Sequence, residues 1–284
     1  MAILEIKHVE KRFKDVQALC DISLSFEKGI YGLIGANGAG KSTLFQILTT
    51  SMNPTNGEIL YQNEPISKNA ALYRSKIGYM PQNHKAYDHL SALQFLYYMA
   101  SLKGIKKQAA KQEIQQLAQS VHLLDELPRK IGTYSGGMRQ RLMFIQALLG
   151  DPEILLLDEP TAGLDPYERI SMRNHIFHIA KDKTVIIATH VMQDIEFIAN
   201  ELILLKKGKI LRQESGASLL EQLQGHVHEV IVDEQALETF QKQEKIARMV
   251  KMKEGIRVRY ISKEKKEGYV NADLEDVYLH FMIE

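Results

Sequence analysis

Between Gly35 and Ser42 the chain reads Gly-Ala-Asn-Gly-Ala-Gly-Lys-Ser, a spacing of glycines ahead of a lysine and a hydroxyl that suits phosphate. Gly35, Gly38 and Gly40 let the backbone curl so that successive amide N–H groups, those of Asn37 and Ala39 included, converge on phosphate oxygens. The N-terminus of the helix that follows would add the positive end of its dipole. In such a loop Lys41 reaches the β- and γ-phosphates, Ser42 ligates Mg²⁺ and Thr43 lies near the α-phosphate. The strand-like run Ile30 to Ile34 before it and the helical pattern Thr43 to Leu48 after it supply the context this chemistry needs.

A second constellation is Ile154-Leu155-Leu156-Leu157-Asp158-Glu159-Pro160, an apolar run ending abruptly in two carboxylates. Taken alone it reads equally as a strand entering a turn. In a parallel sheet, however, the C-terminal strand ends line the ligand crevice, so Asp158 would hold Mg²⁺ through water beside the phosphate loop. Glu159 is then the natural general base to polarise an attacking water. A third segment, Tyr134-Ser135-Gly136-Gly137-Met138-Arg139-Gln140-Arg141, opens the helical run Leu142 to Leu149. Ser135, Gly136 and Gly137 are either a cap and turn or a further anion-binding surface. A further anion site makes sense in a chain that already has a phosphate loop if it serves the nucleotide held by another subunit.

With these segments in this order, the chain resembles an ATP-binding cassette (ABC) ATPase from near residue 10 to about residue 210. The resemblance implies roles for further residues. Phe13 stands where the family stacks an aromatic, more commonly Tyr, on adenine, and a ring face suffices for stacking. Gln82, in Gly78-Tyr79-Met80-Pro81-Gln82, matches the glutamine that senses Mg²⁺ and the γ-phosphate and links the site to a membrane partner. Ser135, Gly136 and Gly137 match the family signature, and Gly163-Leu164-Asp165 matches the loop that touches the opposite subunit. His190 matches the switch histidine. Two departures concern the signature: Tyr134 replaces the usual Leu and Met138 the usual Gln, so any hydrogen bond from that amide to nucleotide is absent.

Positioning these residues requires a particular set of elements. Strand-like runs at Ile3 to Val9, Ile22 to Phe26, Ile30 to Ile34, Glu58 to Tyr61, Ile154 to Leu157, Thr184 to Ala188 and Glu201 to Leu205 predict an α/β fold with a mostly parallel sheet. The resemblance makes that core a P-loop NTPase with an N-terminal antiparallel β lobe. From Leu90 to Gly150 the pattern is wholly helical, giving a helical insert over about residues 83–150. Gly208 and the polar run through Ser218 mark the end of the main body, residues 1–224, and Gly225 reads as a hinge. Residues 225–284 restart as strand, helix, two strands and helix, a small α+β C-terminal domain of roughly sixty residues, near the lower limit for folding alone.

Composition sets the remaining bounds. The 36 Lys and Arg nearly cancel the 35 Asp and Glu, for a net charge of +1, so no nucleic-acid partner is expected. The single cysteine, Cys20, reads as a buried small hydrophobe, and the N-terminus carries no secretory pattern, which points to a cytoplasmic location. No apolar run approaches the ~18 residues needed to cross a bilayer. Tyr87, Phe95, Tyr97 and Tyr98 are either core aromatics or the place where the family docks a helix of its membrane partner. His84 and His89, without Cys or acidic neighbours, make a poor metal site. Lys103, Lys106, Lys107 and Lys111 read as a solvated helix face. The tail Ala272 to Leu279 resembles bacterial cassette ATPases that work with a separate permease, often in export.

The expectation is an ATPase using ATP and Mg²⁺. It dimerises with an identical or related subunit and drives an integral membrane permease from the inner face of the cell membrane. The alternatives are a soluble cassette ATPase acting on nucleic acid or the ribosome, and a nucleotide sensor that does not hydrolyse. The uninterrupted cassette and the balanced charge weigh against the first, and the presence of Glu159 and His190 against the second.

Overall fold

An unbroken apolar run such as Ile154-Leu155-Leu156-Leu157 can hide both faces only inside a sheet that is covered on both sides. The computed structural model, which describes residues 2–82 and 87–282, places it there. His84 lies outside the described residues. The chain opens with strands β1 (Leu4–Phe13), β2 (Val16–Phe26) and β3 (Gly29–Ile34), helix α1 (Lys41–Leu48), strands β4 (Asn56–Tyr61) and β5 (Glu64–Pro65), helix α2 (Ala70–Lys76) and strand β6 (Ile77–Met80). Helices α3 (Ala92–Leu102), α4 (Lys107–Ser120) and α5 (Gly136–Leu148) follow. After them come β7 (Ile154–Asp158), α6 (Pro166–Ile179), β8 (Thr184–Thr189), β9 (Glu201–Lys206), β10 (Lys209–Glu214) and α7 (Gly216–Gln222). The last elements are β11 (Val227–Val232), α8 (Glu234–Gln243), β12 (Lys245–Met252), β13 (Gly255–Ile261) and α9 (Leu274–Met282).

The central sheet has the order β10-β9-β3-β8-β7-β6 and is parallel except for β10, which runs antiparallel to β9 at the edge. Alternation along β7 feeds two separate cores. Leu155 and Leu157 join the cluster made with α3, α4, α5 and α6, whereas Ile154 and Leu156 join Leu44, Phe45 and Leu48 of α1 and the inner face of the other sheet. That other sheet, β2-β1-β4-β5, is antiparallel throughout, as the N-terminal lobe requires.

Two strands of the central sheet depart from the sequence expectation. The polar run after Gly208, read as the end of the main body, forms β10; as an edge strand it leaves half its surface to solvent and carries no apolar signature. Strand β6 was not distinguished because it is short and holds Gly78. A Cβ there would come within 1.9 Å of the Ala147 carbonyl oxygen, so glycine is what lets α5 lie against the strand.

The lysine face is also corrected. Lys106, Lys107 and Lys111 are exposed, but Lys103 is half-buried, donating to the carbonyl oxygens of Leu149 at 2.6 Å and Ile77 at 3.4 Å, and burial lowers its pKa. Cys20 is half-buried rather than buried, with its N–H donating to the Gly208 carbonyl at 2.7 Å. Helices α3, α4 and α5 account for the helical stretch, with 3-10 turns at Leu124–Glu126 and Ile131–Thr133 between α4 and α5.

Strands β11, β13 and β12 form an antiparallel three-stranded sheet in that order. Helix α9 does not stay with this sheet alone: Leu274, Val277 and Met282 enter the same buried cluster as Leu202 and Leu204 of the central sheet. A charged clamp ties α9 to β13. Arg259 Nη2 donates to Asp276 Oδ2 at 2.6 Å and to the Asn271 carbonyl at 2.6 Å, its Nε reaches both Asp276 oxygens at 3.2 Å, and Asp276 is 1% exposed. Removing one partner of such a pair leaves the other unmatched in a poorly solvated place. Asp276→Ala is therefore expected to lower stability by about 3–5 kcal/mol, measured as a fall in the urea midpoint with an unchanged denaturant slope.

Candidate functional site

The loop after β3 is shaped by its helix junction. Gly40, the N-cap of α1, sits at φ +114, and a Cβ there would meet the Ala18 carbonyl oxygen at 2.8 Å and Leu19 Cδ2 at 2.9 Å. Both the left-handed backbone and the close approach of β2 demand glycine. Gly208 fastens the loop from behind, its N–H donating to the Ala39 carbonyl at 2.9 Å. Lys41 is 8% exposed, and its ammonium donates to the carbonyl oxygens of Gly35 at 2.5 Å and Ala36 at 3.3 Å. Burial lowers its pKa, and the nearby Glu159 and Asp158 carboxylates oppose that shift.

The acidic pair lies across the cavity from this loop, at the C-terminal end of β7. Asp158 is 5% exposed; burial and then the neighbouring Glu159 push its carboxyl up from 3.8 to about 6, while Lys41 pulls the other way. Glu159 has a left-handed backbone, φ +50, a conformation that costs a non-glycine residue about 1–2 kcal/mol. Several bonds hold it there. Its N–H donates to the Ala188 carbonyl at 2.8 Å, and Gln140 Nε2 donates to its carbonyl at 3.2 Å. His190 Nδ1 donates to Oε1 at 2.7 Å, and the Thr189 hydroxyl to Oε2 at 3.1 Å.

A cavity of about 380 Å³ joins the two halves. Of the residues singled out in the sequence, Asn37, Gly38, Gly40, Lys41, Ser42, Thr43, Gln82, Asp158 and Glu159 line it. Gly35 and Ala39 support the loop without lining the cavity. His190 touches it through Glu159, its own side chain half-exposed. Phe13 is not in the wall; it is 42% exposed, pairs in register with Val16, which is in the wall, and carries the Lys11 ammonium 5.2 Å from its ring centroid.

Ser135, Gly136, Gly137 and Asp165 stand apart from the cavity wall. Ser135 is exposed and caps α5, accepting from Met138 N–H at 3.2 Å; Asp165 is exposed and caps α6, accepting from Glu168 N–H at 2.8 Å. Tyr134, where Leu is usual, is accommodated because its hydroxyl donates to the Glu126 carbonyl at 2.7 Å, and burial pushes its pKa up to about 12. Among the described residues, no cluster of three or more His, Cys, Asp or Glu could hold a metal. Ser42, Asp158 and Gln82 instead offer oxygen donors of the kind Mg²⁺ takes when phosphates complete its shell. Sequence reasoning missed Val16, Gln17, Ala18, Lys207 and Gly208 in the wall, and Gln140 and Thr189 as the holders of Glu159. Only the position of Thr189 beside His190 at a strand end could have signalled one of them.

The model of the ABC transporter family matches residues 19–162 of the chain. The ABC transporter ATP-binding protein YxlF of Bacillus subtilis (strain 168) is 34% identical over 233 residues, covering 82% of this chain and 77% of its own length. The Nod factor export ATP-binding protein I of Burkholderia orbicola (strain AU 1054) is 33% identical over 223 residues, covering 78% and 73%. Among solved structures, the dimeric post-hydrolysis state of the ATP-binding cassette MJ0796 bound to ADP and Pi superposes with a TM-score of 0.69 at 25% identity, covering 75% of this chain and 98% of that one.

The shift of Asp158 has a definite sign. Because its folded pKa lies above the unfolded value, its contribution to stability is fully present below about pH 4 and is lost as pH rises through about 6. Carboxyl NMR of the nucleotide-free protein is expected to show an Asp signal with a midpoint near 6 that disappears in Asp158→Asn. The midpoint should move up in Lys41→Met and down in Glu159→Gln.

Proposed function

The chain belongs to the ABC transporter ATP-binding family and is an ATPase, and from that premise we propose that two such subunits enclose two ATP molecules between them and drive a separate membrane permease in export. The observation that most supports a shared site is the separation within one chain: the loop from Gly35 to Thr43 lines the cavity, while Ser135 sits outside it on an exposed helix start. In a pair, Ser135, Gly136 and Gly137 of one subunit face the γ-phosphate held by the other, and Asp165 lies at the contact. The solved dimeric state of MJ0796 is a precedent for such pairing in a relative.

Within each site the loop amides and the α1 N-terminus take the phosphates. An anionic phosphate oxygen is a stronger acceptor than a neutral carbonyl, so Lys41 exchanges Gly35 and Ala36 for the β- and γ-phosphates. Ser42 and Asp158, with Gln82, hold Mg²⁺, which when bound supplies positive charge to the β- and γ-phosphate oxygens. The crowding of Asp158, Glu159 and Lys41 fits a site meant for a dication, since an added positive charge offsets the burial and the Glu159 repulsion that together raise the Asp158 pKa. Glu159 is oriented by Thr189 and His190 and polarises the attacking water. When His190 turns to the γ-phosphate, it releases Oε1 for that task. Phe13, at the open end of β1, stacks on adenine.

The permease side is supported by a groove of about 470 Å³ lined by Tyr79, Tyr87, Phe95, Met99 and Leu102 among others, with Tyr98 and Leu102 exposed beside it. A permease helix fits there. No helix among the described residues is long and apolar enough to cross a membrane, so attachment at the inner face of the membrane is made through that groove. Export is supported by the tail from Ala272 to Leu279 and by the likeness to the Burkholderia Nod factor export ATP-binding protein.

Two measurements test this reading. Glu159→Gln is expected to bind ATP, to accumulate as an ATP-loaded dimer in size-exclusion chromatography, and to hydrolyse at least about a hundredfold more slowly; normal turnover would rule out Glu159 as the base. Leu102→Glu is expected to abolish co-purification with the permease while leaving the ATPase rate of the isolated subunit unaltered.

A further inference from the structure

Two buried residues outside the cavity wall join the segments that carry Glu159 and His190. Thr161 lies just beyond Glu159, and Asp194 closes the single 3-10 turn Met192–Asp194 just beyond His190. They are 2% and 3% exposed, and the Thr161 hydroxyl donates to Asp194 Oδ2. The other carboxylate oxygen of Asp194 has no hydrogen-bond partner, and neither has Arg169 Nε on α6, which lies 3.8 Å from it. Next to it Arg173, also on α6, donates Nη1 to the Gln193 carbonyl at 2.6 Å. The turn is thus gripped by α6 through two arginines and by the Glu159 loop through one hydroxyl.

A carboxylate this deeply buried is a poor choice for packing, because an apolar side chain of similar size would fill the space with no desolvation cost. What a buried directional bond supplies is register between the two segments beyond the strand ends, where the β7–β8 ladder has stopped. We propose that Asp194 and Thr161 are positioning residues for hydrolysis: their bond locks the loop of Glu159 to the loop of His190, and so fixes the spacing from which the carboxylate and the imidazole each address the nucleotide. Neither residue touches the nucleotide. The proposal rests on the reading of Glu159 as the base and His190 as the γ-phosphate ligand.

A positioning role predicts a loss confined to turnover. Thr161→Val keeps the shape and removes the donor, and Asp194→Asn keeps the shape and removes the charge. Steady-state hydrolysis and equilibrium ATP binding of the purified proteins are expected to show kcat reduced by between about tenfold and a hundredfold, the scale of loss from misplacing a catalytic group by about an ångström. KM and ATP affinity should stay within about twofold, and Thr161→Ser, which restores the donor, should recover the rate. The double variant should be no slower than the slower single one, because Thr161→Val already removes the bond on which the Asp194 change acts. Unchanged kcat in Thr161→Val, a loss that falls on KM or binding, or additive losses in the double variant would each overturn the proposal. If Asp194→Asn does not fold, the Thr161 pair of variants decides alone. Glu159→Gln, measured alongside, separates the two readings: slow Glu159→Gln with normal Thr161→Val defeats only the positioning role, whereas normal Glu159→Gln defeats the assignment beneath it.

Discussion

Two carboxylates and one ammonium share a space from which water is largely excluded, and most of the cassette exists to keep them there. Asp158 lies beside Glu159 at the end of a buried strand, and burial, with the neighbouring carboxylate, favours the neutral form of Asp158. Lys41 offsets part of that penalty, yet it is itself buried and tied to loop carbonyls. The arrangement is under-neutralised by design of its geometry, and a polyphosphate with its cation is the kind of ligand that completes it. The strand ends, the glycine loop and the left-handed turn at Glu159 are the means of holding like charges close without letting them relax apart.

Residues whose type is forced by geometry were the ones readable in the sequence. Gly40 must be glycine because its backbone is left-handed and β2 lies against it, and the pair Asp158-Glu159 must follow an apolar run because a central strand ends in a crevice. Elements that are forced by what surrounds them were not readable. Strand β10 has no apolar pattern because an edge strand needs none, and β6 is recognisable only once α5 is known to lie against Gly78. Lys103 looked like a surface charge since nothing in one dimension reveals that the ends of β6 and α5 point their carbonyls at it.

The same distinction holds inside the site. Phosphate and metal chemistry limits which residues can serve, so Lys41, Ser42 and Asp158 stand out in the sequence as candidates, and the fold brings all three to one cavity. The bonds that aim Glu159 come from Gln140, Thr189 and His190, residues of ordinary type whose importance lies in where separate strands bring them. The reach extends further still. Gln193, in the turn after His190, donates to Glu275 of α9 at 3.2 Å, and Glu275 in turn accepts from Arg248 of β12 at 2.6 Å, so the C-terminal sheet is bonded to the segment that follows His190.

Strand β7 carries a consequence of its own. Its odd and even residues belong to different cores, and its last residue is one of the two carboxylates. Inserting or deleting a single amino acid anywhere between Ile154 and Leu157 would exchange the two interiors at a stroke and rotate the acidic end by half a turn. Evolution can resize the loops around this strand freely, but the strand itself admits substitutions only, never changes of length.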